Sequence, residues 1–485
     1  MRTTNRLLAM LLAVVMVFSL AACGKDNKED NSSVDSTTST ETSSENTVSD
    51  STESEVDSTS SKTQGDKTSS NSQTSSKAED TGVTTSKTWK EVLSKMPKKL
   101  SGTTLKIASW NEVEQVKGAP EVVAKFKKMT GIDVKWQVIN YGEYTTQIAA
   151  MIAAKKSPDI VRLHGLDVGD VSVLQPITAS NFNFNDTAWH KETSDYYTIN
   201  GKTYAVSLKD SLFHQPMAVF YNRDLIAQYD LEDPYELWKT NKWTFDKFIE
   251  ICRDFRDETD ESFTPWSTLG LFDYAQFLGT GFTAFDGSKY VNNLSDKKLL
   301  TAWQQTLKWI EEGVTVQGFW DHDGFNSGKV LFHTTGMIAA RTTQSYFTKH
   351  KANGTLGIVP IPQIAGEKYN VVAYEMEAYG IAKGSKNPET VPYFLRYYLD
   401  ASNYDKNNFF CDKRAMEVYD WYVEKGNFIK NEDTYVITKD AGYEKDMVSA
   451  LKVAKPEQVA TILESYNAVV NRACQQTNDK LKTFK

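Results

Sequence analysis

Apolar and polar positions divide this chain into three stretches of different character. Arg2 and Arg6 precede an apolar run from Leu7 to Leu20, which ends in the small residues Ala21 and Ala22. A charged start, a short apolar core and small residues are the layout of a secretory signal, and the run is too short to cross a bilayer comfortably. Residues 1–22 are therefore expected to be removed. From Gly24 to Lys87 there is no aromatic residue, leucine, isoleucine or methionine. Such a stretch cannot bury enough surface to offset its ordering entropy, so residues 23–87 are expected to form a disordered tether. Treated as a flexible coil, it has a root-mean-square reach of about 45 Å. Its serines and threonines also leave open a stalk for O-linked sugars.

Regular periodicity begins near Trp89. Leu105 to Ser109 reads as a strand ending at Trp110-Asn111. Pro120 sits where a first-turn proline is tolerated, Val122, Val123, Phe126 and Met129 recur at helical spacing, and Gly131 supplies the stop. Ile132, Val134, Trp136 and Val138 alternate as in a strand. Ile148, Met151 and Ile152 mark a second helix, and Asp159 to Leu163 a third strand. Strand, helix, strand, helix, strand implies a parallel sheet with crossover helices. Farther on, Ala218 to Tyr221 reads as a strand opening into a helix at Asn222-Arg223-Asp224. Thr244 can cap a helix whose stripe is Phe245, Phe248, Ile249, Cys252 and Phe255. Leu299 to Ile310 and Pro388 to Leu399 read as helices, and Leu356 to Val359 and Tyr379 to Ala382 as strands.

Length and charge add limits. At 485 residues the chain exceeds what one core usually holds, so two lobes are expected. The formal charge is −8, and the tether alone, with 13 acidic and 6 basic residues, accounts for −7 of it. The globular part is close to neutral, without the basic face a nucleic-acid partner would require. Cys252, Cys411 and Cys474 are far apart and odd in number, which argues against a disulfide scaffold or a CxxC metal site and for small buried hydrophobes.

Leu20-Ala21-Ala22-Cys23 resembles the lipobox of bacterial lipoproteins. The resemblance implies a lipidated Cys23 at the mature start and a chain anchored to the membrane, not spanning it. Several later segments together resemble the extracellular solute-binding proteins of sugar-type ABC importers, which include the maltose-binding protein. They are Ser157 to Ile160, Ala218 to Leu225 with its Tyr-Asn-Arg-Asp core, Pro234 to Trp238 leading into Lys242 to Phe245, Phe332 to Ala339, and Gly380 to Glu389. The resemblance implies a two-lobed α/β fold like that of periplasmic binding proteins (type II), with a hinge crossed three times. It places lobe one at 101–214 and 371–412, and lobe two at 215–361 and 414–485. Two departures stand out: the segment Ala340 to Tyr346 lacks the family's usual tryptophan, and the chain is expected to end without a long terminal helix.

Ligands in such sheets sit beyond the carboxyl ends of strands. A sugar needs an aromatic face for its C–H patch and planar polar groups for its hydroxyls, so aromatics beside Asp, Asn, Glu or Gln at strand ends are the candidates. Trp110 and Asn111 follow the first strand; a tryptophan there lines a cleft or caps the core. His164 follows the third strand, although a lone histidine is as often structural. Asp159 is left out, since by resemblance it braces the strand. Asp210, Phe213 and Gln215 precede the first hinge strand, and Gln215 matches a ligand-contacting position of the family. Phe272 and Tyr274 match its aromatic loop in lobe two, Phe285 and Asp286 form a nearby turn, and at least one of these four is expected to be core. Tyr346 matches a stacking position. Glu375 and Glu377, two apart in an extended stretch, are expected to project to one face and enter the cleft together; a solvated edge is the other reading.

Paired carboxylates near aromatics also occur in glycoside hydrolases, but two on one strand face do not flank a scissile bond. No HExxH, GxSxG or P-loop motif occurs. Asp321-His322-Asp323-Gly324 fails as a calcium loop, because the fifth and twelfth positions are Phe325 and Phe332. The expected role is capture of a carbohydrate, an oligosaccharide, for a membrane permease, by a monomer anchored at the outer face of the cytoplasmic membrane. No metal, cofactor or catalytic residue is expected. A surface protein or sensor subunit binding a partner protein is the alternative.

Overall fold

The computed structural model describes residues 88–483 apart from 164–170, 179–181, 269–272, 286–287, 317–321, 345, 370, 376, 426–427 and 430–443. The signal, Cys23 and the tether lie outside the described residues.

Two mixed sheets organise the described chain. In the first, the strands lie in the order Asp133–Val138, Thr104–Ser109, Ile160–Leu163, Ala378–Ala382 and Leu174–Gln175, with Ala205–Val206 also against Ala378–Ala382. The first three are parallel, connected by the expected crossover helices Ala119–Thr130 and Tyr144–Ala153. Gly131 ends the earlier helix with φ +73°, a left-handed cap that glycine adopts without steric cost. Asp159 braces this sheet. Its Oδ2 accepts from Lys106 N (3.0 Å), and its Oδ1 accepts from Ser385 Oγ (2.7 Å) and Asn387 N (3.1 Å).

The second sheet is built on Gln215–Asn222, a strand buried at every position. Val330–Gly336, Leu356–Pro360 and Val371–Glu375 all pair with it antiparallel, and Thr264–Thr268 adds to the far side of Val330–Gly336. Pro216 can sit here because it is near the strand's start, where the ladder shifts register against Ala373 and Glu375. Asn222 then caps the helix Arg223–Gln228, accepting from Asp224 N and Leu225 N, and Thr244 caps Phe245–Glu258.

Three expectations are corrected. Val371 does not return the chain to the first sheet. Val371–Glu375 stays with the second, and the return lies between Glu375 and Ala378, because the two extended stretches join different sheets. A terminal helix of 24 residues does exist, Val459–Lys482. Leu463, Val470, Cys474, Thr477 and Leu481 line its buried side, and Asn478 exchanges hydrogen bonds with the backbone of Tyr290 (2.7 and 2.8 Å). The helix read from Pro388 begins instead at Val391, with Pro392 in its first turn. Cys252 and Cys474 are buried and Cys411 partly so, and all three are free thiols.

Gly357 shows how tightly the second sheet is packed. A Cβ there would stand 2.2–2.4 Å from the ring of Tyr221, which is fully buried and hydrogen-bonded to Asp233 (2.6 Å). Gly357→Ala is expected to lower stability by about 1–3 kcal/mol through overpacking, read from the urea midpoint at unchanged slope.

Candidate functional site

The register of the first sheet gathers a set of side chains on one face. Trp136 is the partner of Ile107, Ile107 of Ile160, and Tyr379 of Arg162. With a period of two, Ser109 joins Ile107 on that face and Arg162 joins Ile160. Ile107, Ser109, Trp136, Arg162, Glu377 and Tyr379 accordingly line one cleft, at the carboxyl ends of the parallel strands. Asn111, Glu112, Gln115 and Val116 form its rim, Phe213 and Tyr398 close one side, and Arg341 and Gln344 approach from the segment that follows the second sheet's Val330–Gly336 strand. Its empty volume, open mouth included, is ≈ 450 Å³.

A buried polar network forms the floor. Arg162 donates to Glu377 Oε2 at 2.8 Å, and the side chains of this ion pair are 9% and 3% exposed. Tyr379 donates its hydroxyl to the other carboxylate oxygen, Glu377 Oε1, at 2.5 Å. Burial, reinforced by the Glu377 charge, holds the Tyr379 phenol well above its ordinary pKa. The Arg162 guanidinium also lies over the Trp110 ring, 4.1 Å from its centroid. In the amide orientation that satisfies its neighbours, Asn111 accepts from the second Arg162 nitrogen at 3.3 Å and donates to Gln115 at 3.1 Å. Tyr141 and Tyr144 meet Trp110 edge-on at 5.7 and 5.3 Å.

Of the residues singled out in the sequence, Asn111, Phe213 and Glu377 line this cleft. Phe213 does so as a core ring, 2% exposed and stacked on Tyr398 at 5.2 Å. Trp110 stands beside the cleft, beneath Arg162. Glu375 and Glu377 do not share a strand, so the alternation that joined them does not apply. Gln215 is fully buried at the start of the hinge strand, opposite Glu375. Asp210 lies beside Asp400 and Arg396, away from this lining; burial and the Asp400 charge raise its carboxyl's pKa. Tyr274 packs on Phe245 and Trp309, both at 4.7 Å, and Phe285 on Tyr290 at 4.9 Å, so both serve the packing of the second half. Tyr346 is half-buried and does not line the cleft. His164, Phe272, Asp286 and the Glu375 side chain lie outside the described residues.

The sequence reading missed Arg162, Arg341, Gln344 and Tyr379. Arg162 carried a signal, since a lone charge within the apolar run Ile160–Leu163 has to find a partner once buried. Among the described residues no group of three or more His, Cys, Asp or Glu could hold a metal, and no helix is long and apolar enough to cross a membrane.

Three solved structures show the same fold at low identity. The GacH receptor of Streptomyces glaucescens, solved unliganded and in complex with acarbose, is 18% identical over 79% of this chain and 98% of its own, with a TM-score of 0.52. The cyclic α-maltosyl-1,6-maltose binding protein of Arthrobacter globiformis is 14% identical over 79% and 99%, with a TM-score of 0.55. An ABC substrate-binding protein of Listeria monocytogenes, in complex with cycloalternan, is 16% identical over 79% and 98%, with a TM-score of 0.53. No curated protein matches the chain. Residues 121–407, more than half of the sequence, match the family model described as bacterial extracellular solute-binding protein. This two-lobed α/β chain therefore belongs to the bacterial extracellular solute-binding proteins, a family whose members work outside the cytoplasmic membrane.

Proposed function

We propose that this protein is the substrate-binding subunit of an ABC importer for carbohydrates. In this reading Cys23 carries the lipid anchor, the tether holds the domain clear of the membrane, and the loaded form is presented to permease subunits. The supporting observation is the cleft itself. Amides at Asn111, Gln115 and Gln344 stand beside the half-buried ring of Trp136, a combination of planar polar groups and an apolar face that suits a sugar. The structural neighbours described with acarbose and with cycloalternan agree with this reading. The lobes, taken as 101–214 with 378–412 and 215–375 with 414–485, would close about the hinge. A ligand touching both lobes drives closure only by its differential affinity for the closed state. The chain makes and breaks no bond in this role.

A thermal-shift panel of mono-, di- and oligosaccharides, with amino acids and peptides as controls, tests it. A ligand at a hundred times its Kd adds about 2.7 kcal/mol, a shift of about 3 °C for a domain of this size. A shift confined to one sugar class, with the sugar recovered unaltered, supports the importer reading. Silence across the sugars transfers the assignment to a partner-binding surface protein.

A further inference from the structure

The floor of the cleft holds a charged pair whose groups do more than neutralise each other. We infer that Arg162 is a positioning residue for the binding site: held by Glu377, it fixes the plane of the Trp110 ring and the direction of the Asn111 amide. This deepens the carbohydrate-binding reading and rests on it for the meaning of the site, although the positioning itself can be measured without any ligand.

Among the described residues the guanidinium meets a carboxylate, an amide and an indole face. One nitrogen meets Glu377 Oε2 at 2.8 Å, another meets Asn111 at 3.3 Å, and the π-face lies 4.1 Å from the Trp110 centroid. Glu377 is held in turn, because Tyr379 donates to its second oxygen and the carboxylate is almost wholly buried. Tyr379 belongs to the Ala378–Ala382 strand and is the register partner of Arg162, so the sheet sets both ends of the chain of contacts. The order is strand, Tyr379, Glu377, Arg162, then the two residues after the first strand.

Trp110 and Asn111 need such a hold because they lie past the last ladder position of their strand, Ser109. Only the planar fork of arginine can do all three tasks. A lysine could pair with Glu377, but it has no flat face for an indole and no second nitrogen for an amide. Asn111 illustrates the consequence. In the orientation that satisfies its neighbours, the Asn111 oxygen faces Arg162 and its nitrogen faces Gln115 on the rim, so the charge on the floor favours that end of the amide for the mouth of the cleft. Tyr141, 48% exposed, meets Trp110 edge-on, so the ring's plane is also felt at the surface beside the cleft.

The test uses Arg162→Lys and Arg162→Met, each with and without Trp110→Phe, so that subtraction isolates the emission of Trp110 from that of the other tryptophans. Acrylamide is the probe. Losing a desolvated cation–π contact weakens the hold on the ring by about thirtyfold. In Arg162→Met the Trp110 component is expected to shift and to become more accessible to quenching. Arg162→Lys is expected to recover most of the thermal stability while leaving the Trp110 signal displaced. If lysine restores both, the residue is only an ion-pair partner and the inference is overturned. An unchanged Trp110 signal in both variants overturns it as well. The glycan panel separates this from the functional reading: a Trp110 signal that follows Arg162 while no sugar stabilises the wild-type protein supports the positioning and rejects the carbohydrate.

Discussion

Lowering the pH from 7.5 to 5 is expected to remove about 4 kcal/mol of stability, most of it through His190 and His214. Both rings are buried and lie 5.0 Å apart. Burial pushes the His214 imidazole down to about 3, with the nearby His190 adding to the effect. Burial, with Lys209 nearby, pushes His190 down to about 4. The buried Glu377 carboxylate pulls the His214 imidazole the other way, but burial outweighs it. His190 reaches Glu192 at 3.3 Å, but that side chain is 47% exposed and screened by water, while His214 hydrogen-bonds to the Leu208 carbonyl at 2.7 Å. In the unfolded chain both rings take up protons near pH 6.5, whereas in the folded chain they stay neutral. The unfolded state therefore binds more protons as pH falls below 6.5. Stability is full above that value and declines toward the folded pKa values, by about 2 kcal/mol per ring at pH 5. Against a total of roughly 5–15 kcal/mol, that is a large share.

Urea unfolding at pH 7.5, 6.5, 5.8 and 5 checks the slope, which should approach about 2.7 kcal/mol per pH unit for two rings. The window ends at pH 5 so that ordinary carboxylates stay ionised. A variant with both histidines replaced by glutamine is expected to be less stable at pH 7.5, yet nearly flat from 6.5 to 5. An equally steep decline in that variant would falsify the assignment.

The parallel half of the first sheet was legible in the sequence because apolar positions recur every second residue in its first two strands and its helices have clean stops, while Leu174–Gln175 and Ala205–Val206 are too short to carry a pattern. Leu105 and Ile107, Pro120 and Gly131 each state a local rule that packing has no reason to override. The crossing near residue 376 was not legible. Val371 to Ala382 reads as one extended run, and which sheet each half joins is decided by partners more than 150 residues away in sequence. Aromatic candidates divided in the same way. Tyr274 and Phe285 have the side chains of a sugar site, but Phe245, Trp309 and Tyr290 surround them, and only the fold could show it. Glu377, singled out as a ligand-binding candidate, lies in the lining of the cleft, yet its partner Arg162 is 215 positions away, so its chemistry was hidden. A buried charge in an apolar strand says that a partner exists without saying where.

Glu377→Ala is expected to cost about 3–5 kcal/mol, the usual penalty for leaving the other half of a buried pair without its counter-charge. The substitution strands two groups together. Arg162 keeps its cation where only 7% of the residue is exposed, and the Tyr379 hydroxyl loses its acceptor. Glu377→Gln is milder in shape but not in chemistry. Its carbonyl can still accept from Tyr379, while its amide then presents hydrogens to a guanidinium that has only hydrogens to offer. The order of stability should be wild type, then Gln, then Ala. The informative comparison is a double variant, Arg162→Met with Glu377→Leu, which removes both charges and roughly keeps their volume. Since well-packed apolar residues often replace a buried pair at little cost, it should be more stable than Glu377→Ala alone. Guanidinium midpoints at constant slope give the ranking. If Glu377→Ala unfolds within 1 kcal/mol of wild type, water reaches the floor of the cleft and the pair is not a buried one in solution. If the double variant is the least stable of the four, the pair contributes net stability that apolar packing does not replace, and Arg162 and Glu377 hold the two sides of the first sheet together as well as the site above it.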